Sequence, residues 1–200
     1  MPKPQTFIFM GLPGSGKGTQ VTLLQEYIKK QDPDTPQYAL STGEKFREFI
    51  KGDGYTHQKA REALTKGELM PEFLAVWMWG SMFVENLKGD EHMFIDGFPR
   101  IATEAEMFHS AMKFYEREKP YVLYLHLTKE EVCDRLRKRL EKEGRTDDVE
   151  ETVEERFRWY DKHVVPAIDF FRDKDEYEFC SINGGLTIEG VHDEILKAIS

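Results

Sequence analysis

The chain has 200 residues, 40% hydrophobic and 32% charged, with 28 Lys and Arg against 37 Asp and Glu for a formal charge of −9. This length suits one domain with a sizeable core, and the composition describes a soluble globular protein. The acidic excess argues against a nucleic-acid polymer as partner, and an acidic protein that handles phosphate must focus its cations in one cleft.

In chain order, Thr6–Met10 (TFIFM) reads as a buried strand, followed by a glycine-rich loop and a helix over 17–30. Gln37–Leu40 is a weaker strand, and helical patterns follow over 43–51, 57–66 and 71–88. Met93–Asp96 (MFID) reads as a strand before a helix over 103–118. Tyr121–Leu127 (YVLYLHL) is the next strand, with helices over 129–143 and 149–171. Tyr177–Ile182 (YEFCSI) and a helix over 187–199 close the pattern. Strands alternating with helices predict a parallel sheet covered on both faces. Thr103 with Glu106, Thr128 with Glu131 and Asp147 with Glu150 have the spacing of capping boxes. Pro166 is expected to kink or restart the helix it interrupts. Turn clusters lie at Gln31–Pro36 and Ile182–Gly185, and neither a repeat nor a long linker divides the chain.

Gly11-Leu-Pro-Gly-Ser-Gly-Lys-Gly-Thr19 follows an apolar strand and opens a helix, as a phosphate loop requires. Glycines let consecutive N–H groups converge on one anion, and the helix N-terminus adds positive potential. Lys17 can reach the β- and γ-phosphates as a point charge. A glycine-rich hairpin is the alternative, but strand, loop, Lys and helix agree. Gly18 follows Lys17 where the general pattern has a hydroxyl, which comes one residue later at Thr19. Magnesium would then be held mostly by phosphates and waters.

Asp96-Gly-Phe-Pro-Arg100 follows an apolar strand, so Asp96 stands at a strand's C-terminal end, where parallel sheets bind ligands. There Asp96 can hold magnesium through water, and Arg100 can pair bidentately with phosphate. Arg135 and Arg139 share a helix face. Arg145 opens Gly-Arg-Thr-Asp-Asp148, and Arg156 lies on the next helix. A solvated charged helix is the plain alternative, and it is accepted for Arg137 and Lys138.

GLPGSGKGT resembles the phosphate loop of adenylate kinases and related nucleoside monophosphate kinases, in which Gly18 is the normal residue. Ser41-Thr-Gly-Glu-Lys-Phe-Arg47 and Gly67-Glu-Leu-Met-Pro71 are similar to the family's two acceptor-binding segments. The resemblance runs over nearly the whole chain and implies a three-layer α/β P-loop NTPase fold, with a central five-stranded parallel sheet and helices on both faces. It implies one domain over 1–200, an acceptor-binding insert at about 42–71 and a short lid at about 139–147. ATP is expected at Gly14, Ser15, Gly16, Lys17, Gly18, Thr19, Arg135, Arg139, Gly185 and Leu186. Arg135 would stack on the donor adenine. The monophosphate is expected at Thr42, Gly43, Arg47, Glu68, Leu69, Met70, Gly97, Phe98, Pro99, Arg100, Glu104, Arg145 and Arg156. Lys17, Arg100, Arg139, Arg145 and Arg156 are the expected catalytic set, with Mg2+ accompanying ATP near Asp96. The short lid leaves no room for the cysteine zinc site of longer forms. The family further implies a monomer.

Glu104 departs from the family's Gln, whose amide reads adenine by donating to N1 and accepting from the 6-amine. A carboxylate only accepts, which suits the two adjacent donors of guanine. A solvent-facing Glu favoured by the helix dipole is equally compatible with the sequence. Thr42 matches the adenylate pattern, so AMP leads, with GMP, dGMP or a pyrimidine monophosphate as alternatives. A P-loop kinase for a non-nucleotide substrate and a non-catalytic nucleotide sensor are the rivals from other classes. Cys133 and Cys180 stand outside any CxxC pair and read as reduced, mostly buried thiols. The six histidines show no metal spacing. With neither a secretory signal nor a run of membrane-spanning length, the cytoplasm is the expected compartment.

Overall fold

The computed structural model describes residues 4–66, 68, 70–143 and 150–200. Five strands, β1 (Thr6–Gly11), β2 (Gln37–Ser41), β3 (His92–Asp96), β4 (Tyr121–His126) and β5 (Glu178–Asn183), form one sheet in the order β2-β3-β1-β4-β5. Every pairing is parallel. The register sets Phe9 and Ser41 on either side of Asp96, so β1, β2 and β3 end together.

Side chains alternate across the sheet, which divides the core in two. Phe7, Phe9, Phe94, Leu123 and Leu125 face one way and bury Leu24 and Ile28 of α1 (Lys17–Gln31) with Val191 and Ile195 of α9 (Ile188–Ala198). Ile8, Met10, Met93, Ile95 and Val122 face the other way. They meet α4 (Glu72–Asn86), α5 (Ala102–Phe114), α6 (Lys129–Glu143), α7 (Glu150–Trp159) and α8 (Val165–Arg172). The result is the expected three-layer fold. A separate small cluster joins Phe46 of α2 (Thr42–Phe49) and Ala60 of α3 (Tyr55–Thr65) to Leu74 and Met78 of α4.

The pattern expected over 149–171 is two helices, parted by a π-helical turn at Tyr160–Val164. Pro166 lies in the first turn of α8 and supplies no N–H to the preceding turn, which widens ahead of it. The Thr128–Glu131 capping box is present: the Thr128 N–H donates to Glu131 Oε2 at 2.8 Å, and the Glu131 N–H donates to Thr128 Oγ1 at 3.3 Å. The Thr103–Glu106 box is not formed. Ile101 is the cap of α5, and the Thr103 hydroxyl donates to Glu72 of α4 at 3.0 Å. Glu104 instead reaches back to the Arg100 N–H at 2.6 Å. The Asp147–Glu150 box falls outside the described residues.

Phe108 is fully buried and meets Trp79, Phe98 and Phe171 edge to face. Phe108→Ala is expected to lower unfolding free energy by about 3–5 kcal/mol, measured by chemical denaturation at equilibrium. A loss under about 1 kcal/mol would mean that the cluster does not hold the layers together.

Candidate active site

The chain leaves β1 through the glycine loop and turns into α1. Gly16, at the N-cap of α1, has φ 97°, a left-handed conformation that glycine adopts without strain. The Ser15 N–H donates to the Leu12 carbonyl at 3.1 Å and closes the turn. Lys17 folds back over this loop, donating to the Gly11 carbonyl at 2.9 Å, the Leu12 carbonyl at 2.8 Å and Ser15 Oγ at 3.3 Å. Its ammonium pKa is lowered to about 8, first by desolvation and then by Arg100, Arg156 and Arg139, with Asp96 opposing. Residues from four elements thus share one electrostatic neighbourhood.

A cleft of about 540 Å3 opens over this edge of the sheet. The glycine loop, Gly18 and Thr19 line one side, and Gly43, Arg47, Glu68, Met70 and Gly97–Arg100 the other. Arg135, Arg139 and Arg156 close it from α6 and α7. Arg135 donates to the Ser15 carbonyl at 3.2 Å and the Gly184 carbonyl at 2.7 Å, clamping the turn after β5 against the loop. Gly185 and Leu186 follow that clamped turn but stand outside the cleft lining. Leu69 and Arg145 lie outside the described residues.

Two glycines set the opposite wall. Gly97 has φ 89°, and a Cβ there would lie 2.9 Å from Thr42 Oγ1 and 3.3 Å from Arg100 Nη2. The Gly97 carbonyl accepts from the Thr42 hydroxyl at 2.9 Å and from Arg100 Nε. A Cβ on Gly43 would lie 3.5 Å from Arg47 Nη1 and 3.8 Å from Arg100 Nη2. Both guanidinium groups therefore crowd over one side-chain-free patch, a geometry that accepts the oxygens of a phosphate.

Asp96 lies between the two walls. Its buried Oδ1 has no hydrogen-bond partner among the described residues. This acceptor-only oxygen suits a hydrated divalent cation. Among the described residues no three His, Cys, Asp or Glu side chains gather as a metal site.

Glu104 corrects the solvent-facing reading. It is 3% exposed, and it accepts from Trp79 Nε1 at 3.1 Å as well as from the Arg100 N–H. Burial is the main influence raising its carboxyl pKa, against the Arg100 hydrogen bond and charge. Lys138 is exposed, as expected, and it stands at the cleft with Lys142. Residues 135, 138, 139 and 142 follow the i, i+3, i+4, i+7 spacing of one helix face, a readable signal. Arg137 stays exposed beside Asp134, as expected. Trp159 also lines the cleft, with no motif to announce it.

This strand order, a glycine loop between the first strand and first helix, and a cationic cleft at the C-terminal edge together define a P-loop phosphotransferase. The family model described as adenylate kinase matches residues 9–176. An adenylate kinase of Bacteroides fragilis is 32% identical, covering 96% of this chain and 96% of its own length. One of Leptospira biflexa is 33% identical, covering 96% of this chain and 98% of its own. The chain belongs to the adenylate kinase family, whose members move phosphate between nucleotides.

Lys17 is charged below about pH 8 in the free protein, and bound phosphates favour that charged form. Affinity for a nucleoside triphosphate is therefore expected to be flat below this pH and to fall above it by up to about tenfold per pH unit. Calorimetric titration from about pH 7 to about pH 10 checks this. Lys17→Met should bind more weakly and lose that pH dependence, and an identical profile in the variant would exclude Lys17 as its source.

Proposed function

We propose that the protein transfers the γ-phosphate of ATP reversibly to AMP, giving two ADP. The observation that carries this reading is the pair of facing cationic walls in one cleft. Lys17 and the glycine loop stand on one side, and Arg47 with Arg100 converge over Gly43 on the other. Two anionic substrates are the simplest ligands for such a pair. A kinase for a substrate without phosphate would have no use for the second wall.

On this reading ATP lies along Gly14–Thr19, with Arg135 against its base and Arg139 on its phosphates. Gly185 and Leu186 contribute backbone to the base site. The monophosphate lies against Thr42, Gly43, Glu68–Met70, Gly97–Arg100 and Glu104, its phosphate gripped by Arg47 and Arg100. Arg145 and Arg156 span both substrates. Transfer needs alignment and charge neutralisation more than covalent chemistry. The attacking oxygen belongs to a phosphate already ionised at neutral pH, so no general base is required. Lys17, Arg100, Arg139, Arg145 and Arg156 stabilise the equatorial oxygens of the transferring group. Asp96 would hold Mg2+ through water, and the ion supplies charge neutralisation at the phosphates when bound.

Water competes as acceptor, which favours closure before reaction. The segment at about 42–71 is one moving part, supported by its small core of Phe46, Ala60, Leu74 and Met78, separate from the two sheet cores. The short lid at about 139–147 is the other. One chain contributes both walls, so a monomer suffices. Two free cysteines suit the cytoplasm, and no helix among the described residues is long and apolar enough to cross a membrane.

A coupled assay with Mg–ATP and a panel of AMP, GMP, dGMP, CMP and UMP tests the reading. AMP is expected to be the best acceptor. ATP binding without phosphorylation of any monophosphate would leave only a nucleotide sensor. Arg100→Ala is expected to cut kcat/KM for the acceptor by about 10²–10³-fold with the fold intact by circular dichroism. Unchanged turnover would remove Arg100 from the machinery.

A further inference from the structure

Beside the acceptor wall lies a recess of about 20 Å3, bounded by Thr42, Met70, Gly97, Arg100 and Glu104 among others. That volume takes one water or one exocyclic group of a base. The recess shares Phe46, Met70, Gly97 and Arg100 with the main cleft, so a base standing in the cleft can put an edge into it. Glu104 is the buried acid of this wall. Its two hydrogen bonds, from Trp79 Nε1 and the Arg100 N–H, fall on different oxygens. A carboxyl group can accept both in either protonation state, with capacity left on each oxygen for a ligand.

Two charges face Glu104. The Arg100 guanidinium, in the loop after β3, favours the carboxylate, and Glu72, on α4, opposes it. Burial, with Glu72 acting in the same direction, outweighs the Arg100 charge and the hydrogen bonds from the Arg100 N–H and Trp79, and favours the neutral acid. A monophosphate docked on Arg100 would offset the guanidinium charge that favours ionised Glu104, so acceptor binding and protonation of Glu104 reinforce each other.

We propose that Glu104 is the specificity residue for the acceptor base and acts as a switchable donor. As the neutral acid it gives its O–H to adenine N1 and accepts from the adenine 6-amine. As the carboxylate it accepts from the N1–H and 2-amine of guanine. The inference rests on the acceptor reading above and refines it. A neutral acid offers the base the same donor and acceptor pair as a primary amide, so adenine is read without glutamine. Adenine recognition is then intact below the pKa of Glu104 and weakens above it, while guanine recognition strengthens.

The test is the KM for AMP of the wild type divided by that of Glu104→Gln, from about pH 6 to about pH 9. The amide donates and accepts at every pH. Titration of the AMP phosphate and of Lys17 is common to both proteins and cancels in the quotient. The quotient is expected to be constant at the acid end and then to climb by up to about tenfold per pH unit. A quotient that stays constant to the alkaline end overturns the proposal. Should the variant fail to fold, the wild-type ratio of KM for AMP to KM for GMP serves over the same range. It is expected to rise with pH, and a constant ratio overturns the proposal equally. Steady phosphorylation of AMP with a flat quotient removes only this inference, whereas failure to phosphorylate any monophosphate removes the proposed function too.

Discussion

Arg100, Arg139 and Arg156 stand close enough to Lys17 to lower its pKa, in a protein whose net charge is −9. Their repulsion of Lys17 and its desolvation are opposed by Asp96 and by the loop carbonyls that Lys17 bonds. A cleft of this kind concentrates positive potential, which draws anionic ligands. The remaining elements hold these side chains at one edge of the sheet.

The opposite edge of the sheet is tied by polar contacts. There His92, opening β3, accepts from the Gln5 N–H at 3.0 Å and meets Asp32, beyond α1, at 3.2 Å. Glu91 pairs with buried Arg117 and also accepts from the backbone of the Lys88–Gly89 turn. These buried polar contacts tie α1, the start of β3 and the segment after α5 together, far from the cleft. Between the edges, two apolar layers clamp the strands, so β1, β2 and β3 present their C-terminal ends in fixed register. A rigid edge is what lets Thr42, Gly97 and Arg100 interlock within hydrogen-bond distances.

Much of this was readable in one dimension. The five strands fall where apolar runs predicted them, because strands buried on both faces of a parallel sheet leave a continuous apolar trace. The phosphate loop and the Asp96–Arg100 segment are equally local, since each is a contiguous stretch whose glycines answer to backbone geometry. Thr128 and Glu131, three residues apart, pair as expected. The failures share a different cause. Thr103 was matched to Glu106, but a carboxylate on α4 takes its hydroxyl, and Glu104 supplies the helix-start contact. Lys138 is solvent-exposed as its charged neighbours suggest, yet the helix sets it on the cleft face with Arg135 and Arg139.

The sequence by itself determined the sheet, the glycine turn and the family, because each rests on contacts between residues close in the chain or on a repeating pattern. Only the tertiary structure decided the surroundings of Glu104. Its indole partner is 25 residues away in sequence, and its burial comes from the packing of α4 against α5. A charge's protonation and selectivity depend on what desolvates it, and that is fixed only when distant segments meet.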